Sequence, residues 1–229
     1  MTIRAKRRWG VVAEVLASRP HSVGAEIGVK EGQTSAVLLT RLPGLRTLYC
    51  VDPWQHYPGY DSDRAGRRIE WPSQRLLDRA YRRFSRRVAP FRDRVVVVRA
   101  FSREAAGTIA DGALDFVFVD ANHAYEYVRA DIALWWPKVR AGGTLLGHDY
   151  GRWCHAWGVK RAVDEAFGEL VKVGPAWVWW VDKNGKTGTG NPDPGVPVPF
   201  SPAHNDDRRE PVAVGARSRD CGMPTGSAS

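Results

Sequence analysis

The chain is poor in sulfur. Its 229 residues include three cysteines and two methionines. Cys50, Cys154 and Cys221 are far apart and odd in number, so neither a disulfide framework nor a cysteine zinc knuckle is expected. Reduced thiols and a cytoplasmic setting are expected instead. Long apolar runs are missing too. No stretch approaches the roughly 20 apolar residues that a membrane span needs, so no membrane partner is expected. The basic opening MTIRAKRRWGVVAEVLAS has no convincing cleavage site, and Glu14 interrupts its apolar part. It reads as an N-terminal helix within residues 1–21 rather than a signal peptide. No internal repeat is apparent.

Acids are outnumbered, and the net charge is +9. Residues 64–94 carry most of it, with eleven arginines against Glu70, Asp78 and Asp93. Such a segment attracts nucleic acid, phosphates or acidic substrates. The plainer reading is a solvated helix face. In SQRLLDRAYRRFSRRV, Leu76, Leu77, Ala80, Tyr81, Phe84 and Val88 form one helical stripe, and the arginines fill the other side.

What the chain does have is alternation. Apolar residues make up 43% of it, enough for a core. Strands are expected at 22–28, 45–52, 94–100, 114–120, 141–149 and 176–182, with a shorter one at 171–174. Helices are expected at 32–42, after Ser73, at 102–110 behind Ser102, at 124–136 and at 157–170. Strand–helix alternation with continuously apolar strands predicts an α/β fold, a Rossmann-like seven-stranded, mostly parallel sheet with helices on both faces, and its last strand is expected to be antiparallel. Ligands of such sheets bind outside the carboxyl ends of the strands. The main domain is expected at 22–183. An aromatic insert at 53–72 reads as a lid over the site. The Gly/Pro-rich segment 184–229 reads as a disordered tail.

Three loops at that edge carry chemistry. GAEIGVKEGQTS joins the first strand to the first helix of the alternation. Gly24, Gly28 and Gly32 do not fit the dinucleotide G-x-G-x-x-G spacing, which disfavours an NAD-dependent oxidoreductase. Gly28 lets the backbone turn, while Gly32, Thr34 and Ser35 offer helix N-terminal amides and hydroxyls. Glu26 would repel a pyrophosphate but suits an ammonium group. Asp52 ends the second strand, where an acid accepts ribose hydroxyls. Phe101 and Ser102 follow the third strand, where an adenine can lie. Together these loops describe a nucleoside with a cationic amino-acid tail.

On these residues the chain resembles class I S-adenosylmethionine-dependent methyltransferases across residues 22–182. E-x-G-x-x-x-G (Glu26, Gly28, Gly32), Asp52 and the closing WVWWVD carry the likeness. F-V-D-x-x-H-x-Y followed by G-G-x-x-x-x-H-D-Y resembles, more narrowly, the metal-assisted O-methyltransferases of catechol and macrolide-sugar type. That likeness implies S-adenosyl-L-methionine and Mg²⁺ as cofactors. It implies Asp120 and Asp149 as metal ligands, with Asp120 also beside the cofactor, and His123 as the base. One departure stands out: relatives often carry a second acid or an amide beside the strand-five aspartate, whereas His148 and Tyr150 flank Asp149 here.

The residue chemistry agrees with that implication. Adjacent strands lie about 4.8 Å apart, so acids ending two neighbours share a small volume and repel. A hard divalent cation removes the penalty. It also acidifies a substrate hydroxyl whose proton a histidine can accept. Asn122 and His148 are further ligand candidates. Trp54, Tyr57, His148 and Tyr150 are the expected substrate contacts. The expected partner is a small-molecule acceptor, a sugar or phenol. An RNA- or tRNA-directed methyltransferase and a non-catalytic cofactor-binding module are the alternatives, and self-association into a homo-oligomer is compatible with the sequence.

Overall fold

A computed structural model describes residues 7–56, 73–151 and 157–184. Most of the expected lid, with Tyr57, and all but the first residue of the expected tail lie outside them. In chain order the helices are α1 (Arg8–Ala17), α2 (Gln33–Arg41), α3 (Gln74–Val88), α4 (Ser102–Gly107), α5 (Tyr125–Trp135) and α6 (Trp157–Phe167). The strands are β1 (Val23–Ile27), β2 (Thr47–Val51), β3 (Val95–Val98), β4 (Leu114–Val119), β5 (Val139–Gly147), β6 (Lys172–Val173) and β7 (Trp179–Asp182). They form one sheet in the order β3-β2-β1-β4-β5-β7-β6. The strands from β3 to β5 pair in parallel, and β7 is antiparallel to both of its neighbours. This is the expected Rossmann-like sheet. Strand order reverses between β1 and β4, the switch point where such sheets bind ligands.

Alternation along each strand divides the core into two layers. On β4, Val117 and Val119 pack with Ala105, Val128, Ile132, Trp135 and Val163 from α4, α5 and α6. Phe116 and Phe118 turn the other way, onto Val12, Leu16, Leu38, Leu39, Ala80 and Phe84 from α1, α2 and α3. With period two, a one-residue slip would exchange the layers, so the register is tightly specified. The arginine helix behaves as its pattern dictates. Leu77, Ala80, Phe84 and Val88 are buried at spacings of three and four, while Arg75, Arg79, Arg82, Arg83, Arg86 and Arg87 are exposed.

Several boundaries differ from the sequence reading. Ser102 does not cap α4. Phe101 holds the cap position, and the Ser102 hydroxyl donates to Asp131 on α5. Ser73 takes the extended backbone of a cap without a side-chain cap bond. Residues 175–177 form a 3₁₀ turn, so the last strand begins only at Trp179. The RVVVV run forms the sheet edge, leaving Val96 and Val97 exposed. β-branched residues suit an edge strand as well as a central one, and Arg94 and Arg99 flank it with charge, a common guard against edge pairing.

Candidate active site

Two strand ends meet in register. β4 and β5 pair as far as Val119 opposite Gly147, and the His148 N–H continues the ladder to the Val119 carbonyl. The residues just beyond are therefore neighbours: Asp120 on one side, His148 and Asp149 on the other. His123 returns from the turn before α5. Its Nε2 lies 3.1 Å from Asp149 Oδ2 and 3.6 Å from Asp120 Oδ1. His148 Nδ1 lies 3.2 Å from Asp149 Oδ1 and 3.5 Å from Asp120 Oδ1. Two imidazoles thus sit between two carboxylates.

Local backbone aims these groups. Asn122 Oδ1 accepts the Ala124 N–H, closing the turn that presents His123. Asn122 is committed to that turn, which is the capping job that Asp120 could otherwise have had. Asp149 has φ of 60°, in the left-handed region that aspartate tolerates better than most residues. Backbone held there tends to mark functional positions.

Charge explains the proton affinities. Burial opposes ionisation of Asp120, but His123, His148 and Arg8 outweigh it and hold its carboxyl far below the usual range. Asp149 is lowered against burial by His148 and His123. Burial opposes charge on the imidazoles as well. The two carboxylates nevertheless raise His123, and they raise His148 to about 9. Arg8, on the first turn of α1, completes the cluster, its Nε 2.9 Å from Asp120 Oδ2. Arg8 Nε, His123 Nε2 and His148 Nδ1 are all buried without a well-directed hydrogen bond. Their contacts with the acids rest on charge more than on hydrogen-bond direction.

The glycine loop lies alongside. Gly28 has φ of 88°, and a Cβ there would stand 2.3 Å from the Asp120 carbonyl oxygen. A glycine is needed to bring this loop against the end of β4. Gly32 has φ of 73° and a Cβ would strike the Phe84 ring. Glu26 is only 2% exposed and lies one layer beneath the loop, accepting the Ser35 hydroxyl. Burial raises its carboxyl to about 8. Ser35 is fully buried, so it supports Glu26 rather than facing the cleft. Asp52 binds the same loop: it accepts the amides of Val29, Lys30 and Trp54 at 3.0, 2.9 and 2.7 Å.

Several expected contacts are placed differently. Trp54 is 1% exposed, stacked on Phe84 and edge-on to Tyr81, with its indole N–H donating to the Lys30 carbonyl. It is a core anchor under the glycine loop, not a face for substrate. Aromatic residues in a presumed lid look alike in sequence whether they cover a site or the core. His148, expected at the substrate, is buried between the carboxylates. The Tyr150 hydroxyl donates to Asp164 on α6. Phe101 stays partly exposed at the α4 entry, while the Ser102 side chain is engaged with Asp131 and the Trp135 indole. Arg8 was missed by sequence reasoning. The basic N-terminal run was its one signal, and nothing in that run told which arginine folds back.

A family model described as a methyltransferase domain matches residues 25–150, just over half of the chain. The chain belongs to that methyltransferase family. It carries that family's methyltransferase domain, and the matched span runs from β1 through Asp120, His123 and Asp149. A curated relative, the uncharacterized protein y4gI of Sinorhizobium fredii, is 30% identical over 130 residues; the match takes in 56% of this chain and 12% of that protein. The methyltransferase thus spans about an eighth of that relative. Among solved structures it is similar to an O-methyltransferase from Bacillus cereus in complex with SAH, at 15% identity and TM-score 0.52, covering 77% of this chain and 80% of that one. It is also similar to a SAM-dependent O-methyltransferase from Thermotoga maritima, at 11% identity and TM-score 0.54, covering 80% and 67%. At these identities the likeness is one of fold.

Asp120, His123 and Asp149 each offer one ligand atom, all within 4.8 Å of one another. The two carboxylates suit a divalent cation, with the imidazole beside them. With both histidines protonated, one such cation could replace two protons without changing the charge of the cluster.

Proposed function

We propose that this methyltransferase moves the methyl group of S-adenosyl-L-methionine to a hydroxyl of a small molecule, a sugar or a phenol, with His123 taking the hydroxyl proton. The convergence of Asp120, His123 and Asp149 at the carboxyl ends of β4 and β5, beside the switch point of the sheet, carries this reading. Asp120 and Asp149 would hold a divalent cation, Mg²⁺ in the simplest case. Bound there, the cation would supply Lewis-acid polarisation of the acceptor hydroxyl. His123, relieved of the carboxylate charge that raises its pKa, would present a free Nε2 lone pair to that proton. His148, buried behind the acids, would hold their orientation. The bound cofactor would supply an electrophilic methyl group, and the glycine loop and the α4 entry would fix its direction of approach. Alignment of this kind is a large part of what the protein contributes to such a displacement.

The experiment is methyl transfer from isotopically labelled cofactor to panels of sugars and phenols, with Mg²⁺ or with chelator. Transfer to a hydroxyl that depends on the cation is expected. Full activity of the wild type in chelator, or of an Asp149→Ala variant, counts decisively against the metal-assisted mechanism.

One observation favours a second reading. Arg75, Arg79, Arg82, Arg83, Arg86 and Arg87 are all exposed on α3, so the helix presents a cationic face that could hold an RNA acceptor. Binding that weakens steeply with salt is then expected. Absence of RNA binding at low ionic strength removes this reading.

A further inference from the structure

Arg8 lies ahead of the span that the methyltransferase family matches, yet it reaches the centre of the site. Its position is set by packing, because Val11, Val12, Ala13 and Leu16 bury α1 against Leu38, Leu39 and Val178. From the first turn of that helix the guanidinium meets Asp120 at 2.9 Å, but Nε is buried and its N–H is not aimed at an acceptor. Arg8 is also a positive charge acting on Glu26 beneath the loop. A guanidinium whose buried Nε–H meets an acid without a directed hydrogen bond keeps that donor open to a better-oriented anion.

The amino-acid end of the cofactor carries an ammonium group and a carboxylate. An edge that offered only the ionised Asp120 would attract the first and repel the second. We infer that Arg8 is the residue that binds the α-carboxylate of S-adenosylmethionine, giving up its loose contact with Asp120 to do so. The planar fork of a guanidinium matches a carboxylate better than a point charge does. Exchange of one carboxylate for another leaves Arg8 paired in both states and frees Asp120 when the cofactor arrives. The inference rests on the reading of this edge as the cofactor pocket.

The test is calorimetric binding without turnover. S-adenosylhomocysteine and its decarboxylated analogue are titrated into wild type, Arg8→Gln and Arg8→Lys. A charge-assisted pair is worth about 10- to 100-fold in affinity, so Arg8→Gln should weaken S-adenosylhomocysteine by that factor and leave the analogue unchanged. Arg8→Lys keeps the charge but loses the fork, and it should fall between the other two. It also guards against a glutamine variant that folds poorly. Equal weakening of both ligands would mean that Arg8 acts only by positioning Asp120, and it would overturn the inference. So would unchanged S-adenosylhomocysteine affinity in Arg8→Gln. A wild type that binds neither ligand would sink the cofactor reading of the edge itself, and the role of Arg8 with it.

Discussion

Asp115 and Asp120 sit at opposite ends of one strand, β4, and they have opposite characters. Asp115 is locked. Its Oδ2 accepts the N–H groups of Ser22 and Val23 at 2.5 and 2.8 Å, and its Oδ1 accepts Arg140 Nε at 2.5 Å. Each bond is directed, and two come from backbone that cannot leave. Asp120 faces Arg8, His123 and His148 at 2.9, 3.6 and 3.5 Å, and all three nitrogens are poorly aimed. Both carboxyls lie below the usual range against the cost of burial, so proton affinity does not separate them. Geometry does. An acid with aligned backbone partners holds a fold together, whereas an acid among displaceable side-chain cations is ready to receive something else.

The sharpest way to break that comparison is to remove each acid. Asp120→Asn should abolish methyl transfer, a loss larger than the about 10²–10⁴-fold expected for one proton-transfer group. The Tm of Asp120→Asn at pH 8 should move by less than about 4 °C, the shift that 1 kcal/mol produces in a chain of this size. Asp115→Ala should do the reverse. It leaves two backbone donors without their acceptor, at about 1–3 kcal/mol each, so its Tm should fall by roughly 4–24 °C while kcat below the transition is kept. Thermal melts and initial rates on the same preparations decide it. Two variants equally unstable, or equally inactive, would erase the distinction.

His123 and His148 sharpen the same contrast within the functional end. The side chain of His123 is 38% exposed although its Nε2 is buried against the acids, whereas the side chain of His148 is only 5% exposed. His123→Gln should lower kcat by about 10²–10⁴-fold and remove the rise of rate with pH. His148→Gln should cost about 10–100-fold, the usual effect of an orienting partner behind a metal ligand, and should keep that rise. Rate–pH profiles of the three proteins test this, and identical profiles for wild type and His123→Gln would take the proton-transfer role from His123.

The two ends of β4 were not equally legible in the sequence. Asp120, His123 and Asp149 announce themselves because each follows an apolar strand at a spacing that chemistry explains. The sheet was legible for the same reason: LDFVFVD and AGGTLLGHD leave little choice but buried parallel strands. Asp115 gave no signal, since a single acid inside LDFVFV looks like noise until Ser22 and Arg140 are in place. Arg8 and Trp54 were hidden by long-range packing. Which of several N-terminal arginines folds over an edge, and whether a loop tryptophan looks inward, are decided by α1 and α3 as they dock. Local pattern does not contain that information.

Glu26, on the neighbouring strand β1, extends the comparison to a third acid and the smallest effect. It is more deeply buried than Asp120, and its carboxyl moves the other way, up to about 8. Burial dominates there, and the Ser35 and Thr34 hydroxyls offset it only in part, because no cation among the described residues touches the group. Linkage fixes the sign. The folded state holds a proton on Glu26 that the unfolded chain has lost above its ordinary value of 4.5. Stability therefore falls as pH rises from about 4.5 to about 8 and levels off above. His148, raised to about 9, adds a fall of the same direction at higher pH, so the useful quantity is a difference between two proteins. Glu26→Gln keeps an acceptor for Ser35 but has nothing to titrate. Its Tm should match wild type near pH 5 and exceed it at pH 9, by about 2–4 °C for each kcal/mol recovered. Parallel melting curves across that range would mean that Glu26 keeps its charge in the core. A cation would then have to lie against it, and Arg8, a positive charge that already acts on both acids, is the group that would have to move.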